Sequence, residues 1–381
     1  MFRFSDKLLS WLMGIALILF VWHNPYQPLK EYLFLPWIGL VLILCVEGIV
    51  WKKHGFNFGE KKIWILLAVI ALSIVASGFA KYFRAECDLN QAIAIGCSGV
   101  MLFGIYPTVR RLGKDVFKPF AWSVIIEALS IVIYGALHDW GPNGGLLSPT
   151  NYDIAIGLLI FGYLVSDKKT LLLPFLITGI YFSGAAEGLF VIAVLFIAWL
   201  AGNWNKLKQV NKDTWLMLTV SILVIAVAIP TTYNNIWSDK LNGRIEAAYQ
   251  AIWDSENRQE LLLEASSYRI GVGEYAGVND VKGNWNLSPI LPFGHGYNMT
   301  DFYIGIPHNI ALIIIEQVGI GALVAWIFLA LLGLCRWRYL WIGFIALGIF
   351  DHFIWTQAAP WLWAIAGGTS LMSNNKLEIV K

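Results

Sequence analysis

Charge is what this chain has least of. Only 14% of its 381 residues are Asp, Glu, Lys or Arg, where a soluble domain carries about a quarter. That shortage excludes a surface wetted on all sides. Cysteine is scarce too. Cys45, Cys87, Cys97 and Cys335 are scattered, mostly within apolar stretches, and form neither a disulfide framework nor a metal pattern. Cys87 is the one expected to be exposed. No His, Asp and Glu set has ligand spacing, so neither a metal nor any other cofactor is expected. The net charge of +2 comes without a basic tract, and nucleic acid is not an expected partner. Low-complexity tracts and internal repeats are also missing.

What is present is hydrophobic. Apolar residues make up 58% of the chain, and the mean hydropathy is +0.63. A membrane helix needs roughly 20 apolar residues, fewer inside a bundle. Spans are expected at 7–22, 33–51, 63–79, 91–106, 119–137, 151–166, 171–182, 188–202, 215–230, 308–334, 339–350 and 360–372. The first has no small-residue cleavage site and reads as a span, not a signal peptide. The expected fold is an all-α membrane protein of about twelve transmembrane helices. It is a single polytopic domain over 1–381, with one large, partly helical outer loop, 231–307, between the ninth and tenth spans.

Basic residues test that layout, because cytoplasmic loops collect Lys and Arg. With the N terminus inside, the inner segments hold most of them: Arg3, Lys7, Lys52, Lys53, Lys61, Lys62, Arg110, Arg111, Lys114, Lys118, Lys168, Lys169, Lys206, Lys208, Lys212, Arg336, Arg338, Lys376 and Lys381. The short outer loops hold only Lys30, Lys81 and Arg84. The alternation needs a hairpin at Ser183. Without it, 171–202 reads as one long helix and the termini no longer agree. The expected location is a bacterial inner membrane, both termini cytoplasmic.

Within the loop, Ile245, Ala248, Tyr249 and Ile252 recur at helical spacing, as do Leu261, Ala265, Tyr268 and Val272. Two amphipathic helices along the membrane surface are expected. Arg258 and Arg269 share a face if the second is continuous. They read either as solvated, headgroup-binding arginines or as a clamp for a phosphorylated lipid. Further on, Gly294 and Gly296 flank His295 in a tight turn. The chain re-enters at Pro307-His308-Asn309, with Glu316 two turns on and Gly319 beneath the histidine on a small-residue stripe. Acids inside a membrane are costly and face the bundle interior. Here they are Glu47, Glu127, Glu187 and Glu316, with Asp153, Asp351 and His352 near span ends. Glu47 is expected to be structural. His308 reads as an interfacial cap or as an acid–base group.

Several segments, in order, resemble the O-antigen ligase and O-antigen polymerase superfamily. His308-Asn309, nine residues, then Gly319 is similar to its histidine signature. Gly144-Gly-Leu-Leu-Ser-Pro-Thr-Asn151 is similar to a segment before its middle spans. Ser267-Tyr-Arg269 with Pro292-Phe-Gly-His-Gly296 is similar to its loop pattern, and Asp351-His352-Phe-Ile-Trp-Thr356 to a C-terminal segment. The layout matches as well, so the resemblance covers the whole chain. It departs at Ser183-Gly184-Ala185-Ala186-Glu187, where many relatives carry Ser-Arg-Gly. Arg84, Arg244 and Arg258 are the candidates to replace that cation.

The resemblance implies a glycosyltransferase that is metal-independent and faces the periplasm. It implies an undecaprenyl-pyrophosphate-linked glycan as donor and lipid A core or another surface acceptor, with membrane lipids around. His308 is the implied base, with Arg269, Arg258 and Arg244 at the pyrophosphate. Asn309, Glu316, Gly319, Asp351 and His352 are implied supports. A polymerase using a second carrier-linked repeat, a flippase or transporter, and a scaffold subunit are the competing readings.

Overall fold

The computed structural model describes residues 6–22, 35–54, 59–146, 152–204, 210–258, 260–261, 293–294, 296, 309–350, 355 and 359–372. Among them every regular element is helical and there is no strand. An apolar chain out of water must satisfy its peptide groups internally, and the helix does this within one segment.

The helices are α1 (Asp6–Trp22), α2 (Leu35–His54), α3 (Lys61–Phe83), α4 (Leu89–Leu112), α5 (Lys118–Leu137), α6 (Tyr152–Val165) and α7 (Lys169–Ser183). After them come α8 (Ala186–Asn203), α9 (Lys212–Tyr233), α10 (Asp239–Trp253), α11 (Ile310–Val318), α12 (Ile320–Arg336), α13 (Arg338–Phe350) and α14 (Ala359–Met372). Four stretches are long and apolar enough to cross a membrane: Lys61–Phe83, Leu89–Leu137, Ala186–Asn203 and Lys212–Ser238. Five shorter apolar helices accompany them, Ile38–Val50, Tyr152–Val165, Lys169–Ser183, Ile320–Arg336 and Arg338–Ile349.

The stops are written in local chemistry. Asp88 accepts from the Gln91 amide at 2.8 Å while Gln91 reaches back to the Asp88 amide, a reciprocal cap at the start of α4. Gly113, at φ 79°, ends α4 and opens a 3-10 turn before α5. Gly184, left-handed at φ 69°, ends α7 at Ser183. The stretch 171–202 is therefore two helices and not one.

One expected span is corrected. The apolar run 308–334 is broken at Gly319, whose φ of 88° and ψ of 175° belong to no helix. Gly319 is thus the joint between α11 and α12. Hydropathy continues across the joint, so the run alone conceals it.

Close approach of backbones holds the bundle. A Cβ on Gly78 of α3 would lie 2.9 Å from the Ile95 Cβ, and one on Gly99 of α4 would lie 3.0 Å from the Ala71 carbonyl oxygen. Small residues allow such contact where no hydrophobic force separates helix from lipid. Indoles add hydrogen bonds: Trp361 donates to the Leu17 carbonyl at 2.6 Å and Trp341 to Thr369 Oγ1 at 2.9 Å.

The two ends of the bundle differ. At the basic end, Arg111 pairs with buried Glu47 and, at 2.8 Å, with Asp6. Arg336 pairs with Glu60, and Arg110 donates to Ser370. Glu47 is therefore an ion-pair partner, as expected of a structural acid. The opposite, loop-bearing end carries the turn after α3, the 138–146 turn, the Ser183–Ala185 turn and the start of α11. Of the cysteines, Cys45, Cys97 and Cys335 are exposed and Cys87 is half-buried, the reverse of the expectation. The three lie on apolar faces that no other helix covers among the described residues.

Candidate functional site at the loop-bearing end

The site is built around the short helix α11. Asn309 caps it, accepting from the Ala311 amide at 2.9 Å and the Leu312 amide at 3.3 Å. Its amide also donates to the Ile349 carbonyl at 3.3 Å. One side chain thereby satisfies free helix-start donors and ties α11 to the end of α13. Gly348 of α13 leaves room for Ile310: an added Cβ would lie 2.8 Å from Ile310 Cγ2.

The far end of α11 receives the glycine turn. The Gly296 amide donates to the Gln317 carbonyl at 2.9 Å. Gly294, at φ 57°, packs so closely that an added Cβ would overlap the backbone of Glu316, Gln317 and Val318. Arg84 completes the dock. Its guanidinium donates to the Gly294 carbonyl at 3.0 Å and pairs with Glu86 at 2.9 Å. The Gln317 side chain in turn accepts from Trp355 Nε1 at 2.9 Å.

Gln317 is thus a hub, and it is absent from the sequence-derived candidates. Its carbonyl holds the 293–296 turn and its amide oxygen holds Trp355, a residue 38 positions away. No periodicity reports such a pairing. The only local hint is a buried amide, 1% exposed, in an apolar helix. Arg84, a candidate replacement cation, holds a backbone carbonyl and a neighbouring glutamate here.

Glu316 is buried beside the turn, and its Oε2 has no hydrogen-bond partner among the described residues. A buried unpaired oxygen of this kind is costly and is one group in this part of the site able to accept a proton.

A second set of turns meets at the same end. The Asn143 amide donates to the Ser183 carbonyl at 3.2 Å, and Asn235 donates to the Asp139 carbonyl at 2.8 Å. Gly145 lies over Glu127, whose carboxylate is buried without a hydrogen-bond partner among the described residues. The Ser130 hydroxyl beside it donates to the Glu127 backbone carbonyl at 2.8 Å. Leu146 donates to that hydroxyl at 3.0 Å. The start of the 144–151 segment therefore folds back about two turns below the end of α5.

Arg258 donates to the Ala251 and Ile252 carbonyls at 3.0 and 3.4 Å, covering the last turn of α10. Its Nε and Nη2 thereby cap the end of α10, and the side chain is exposed. Arg244 is half-buried on α10. His308, Arg269, Asp351 and His352 lie outside the described residues, as does most of the expected second loop helix. Among the described residues no group of His, Cys, Asp and Glu is arranged to hold a metal. No family model matches the sequence, and no curated protein is significantly similar to it.

Proposed function

We propose that this chain is an O-antigen-ligase-like glycosyltransferase embedded in a membrane. It moves a glycan from undecaprenyl pyrophosphate to an acceptor hydroxyl, on lipid A core or a similar surface molecule, at the loop-bearing end. One observation carries the reading. Residues from three stretches that bear the family resemblance touch through Gln317, which lies in the helix after Asn309: the Gly296 amide bonds its carbonyl and the Trp355 indole, 38 residues on, bonds its side chain. That contact supports reading the segments as parts of one site.

In this mechanism His308 accepts the acceptor hydroxyl proton, as a base with a near-neutral pKa does. The acceptor oxygen bonds to the anomeric carbon as the bond to the pyrophosphate oxygen breaks, with inversion. Arg269 stabilises the charge growing on the departing pyrophosphate, and Arg244 assists. Arg258, held at the end of α10 through Nε and Nη2, assists through its Nη1. Asn309 fixes the backbone next to His308.

A transporter is the second reading. The break at Gly319 favours it, because transporters build their sites from interrupted helices at mid-membrane. This break, however, lies against the turn held by Arg84 at the end of α3.

The test uses protein in nanodiscs with a polyprenyl-pyrophosphate glycan and three acceptors: lipid A core, a protein, and a second carrier-linked repeat. Mass spectrometry reads the products. Transfer by the parent and none by a folded His308→Ala supports the enzyme, and the acceptor modified separates ligase from polymerase. A product retaining the donor configuration overturns the single displacement. Carrier bound without transfer to any acceptor favours transport.

A further inference from the structure

Helix α10 shows three faces. Ala247 and Ala251 are buried on one side. Glu246 and Gln250, joined at 3.2 Å, make an exposed polar side. Between them Ile245, Tyr249, Ile252 and Trp253 stand 63%, 63%, 62% and 73% exposed. Their spacing places them on one stripe, and the Tyr249 and Trp253 rings lie 6.5 Å apart. A contiguous bare apolar strip of this kind marks a surface that something covers.

The path of the chain says what covers it. α10 follows α9 through a single turn of π-helix, Asn234–Ser238, whose Ile236 and Trp237 are buried in the bundle. α9 belongs to a stretch long and apolar enough to cross a bilayer, and its Ile222 and Val227 are 65% and 78% exposed. The π-turn and the polar first turn of α10 are all that lies between that apolar surface and the α10 stripe. The stripe therefore begins at the height where α9 leaves its apolar surroundings. Paired Tyr and Trp rings suit that level, where amphipathic rings gather.

Charge decides which lipid feature matters. Between 239 and 260 the acids are Asp239, Glu246, Asp254, Glu256 and Glu260, against the bases Lys240, Arg244 and Arg258. A net acidic segment is not drawn to anionic headgroups. We propose that α10 lies in the interfacial layer of the bilayer, with Ile245, Tyr249 and Ile252 among the acyl chains and Glu246 and Gln250 in water. Apolar burial holds it there and anionic lipid does not. The proposal stands independently of the glycosyltransferase reading.

The test labels single cysteines with an environment-sensitive fluorophore in the full chain, with the four native cysteines replaced by serine. Positions 249 and 252 report the stripe; 246 and 250 report the polar face. Each variant must elute as a single species in size exclusion, and either stripe position suffices if the other fails. In phosphatidylcholine nanodiscs, nitroxide-bearing lipid is expected to quench 249 and 252 several-fold more than 246 and 250, with aqueous iodide giving the opposite order. Replacing a third of the lipid with phosphatidylglycerol is expected to leave the pattern unchanged. Iodide quenching at 249 and 252 overturns the proposal. So does protection from both quenchers, which assigns the stripe to another part of the chain or a second copy. A pattern that appears only with phosphatidylglycerol overturns the apolar mechanism.

Discussion

Three side chains, Gln317, Trp355 and Asn309, do more at the loop-bearing end than their types suggest. Replacing Trp355 by Phe leaves the buried Gln317 oxygen without this donor and is expected to cost about 1–3 kcal/mol. Gln317→Leu removes the same bond from the other side. A double-mutant cycle in thermal unfolding should therefore show the two losses overlapping, and strictly additive losses would mean the bond carries nothing. Asn309→Ala removes a helix cap worth about 1 kcal/mol and the tether to Ile349. Asn309→Asp keeps the cap and loses the tether. If Asn309 positions its neighbour His308, the alanine variant loses transfer rate with little change in donor affinity, and the aspartate variant recovers part of it. Equal loss of rate and affinity would make Asn309 merely structural. None of these pairings was legible in the sequence. Hydropathy and spacing report which face a residue occupies, and the partner of Gln317 comes from another segment altogether.

Elements were legible where a run of apolar residues starts and stops against polar ones. The expected spans 7–22, 339–350 and 360–372 agree with α1, α13 and α14 to within a residue or so at each end. The run 308–334 misled because a backbone torsion leaves no trace in hydropathy, and Gly319 is one glycine among 35. Its φ of 88° with ψ near 175° is a region only glycine occupies readily, so Gly319→Ala is expected to cost about 1–3 kcal/mol. An unchanged melting temperature for that variant would show α11 and α12 to be one continuous helix. At the end of α10, Asp254 accepts from the Asn257 and Glu256 amides, each at 3.0 Å. These bonds, those from Asn257 foremost, hold its carboxyl below the usual aspartate range. A lowered folded value means the turn is supported above the unfolded pKa and loses that support as pH falls through the folded one. Amide exchange at 256 and 257 should rise in that acid window and lose its pH dependence in Asp254→Asn.

Across the whole molecule, the two ends are braced by different means. The basic end relies on ion pairs that include a buried acid, Glu47, 0% exposed against 24% for its partner Arg111. Removing Arg111 strands that carboxylate, and Arg111→Met is expected to destabilise by about 3–5 kcal/mol. Adding Glu47→Leu should restore much of the loss. If the double variant melts no higher than Arg111→Met alone, the pair is not the brace. By contrast the exposed pair Arg84–Glu86 should cost at most about 1 kcal/mol when Glu86 is replaced by Gln. The sequence made the basic end readable, because clustered Lys and Arg between apolar runs have few other uses. The loop-bearing end was readable only as a set of motifs, since turns and backbone bonds join them.

The 293–296 turn is seated by main-chain atoms: the Gly296 amide on the Gln317 carbonyl, and the Gly294 carbonyl under Arg84. Such a seat is indifferent to the side chains of its alternate positions. Phe293, already exposed, is therefore free to diverge while Gly294 and Gly296 keep the frame. A library varied at 293 and fixed at the two glycines is the place to look for changed preference between one partner molecule and another on a constant scaffold.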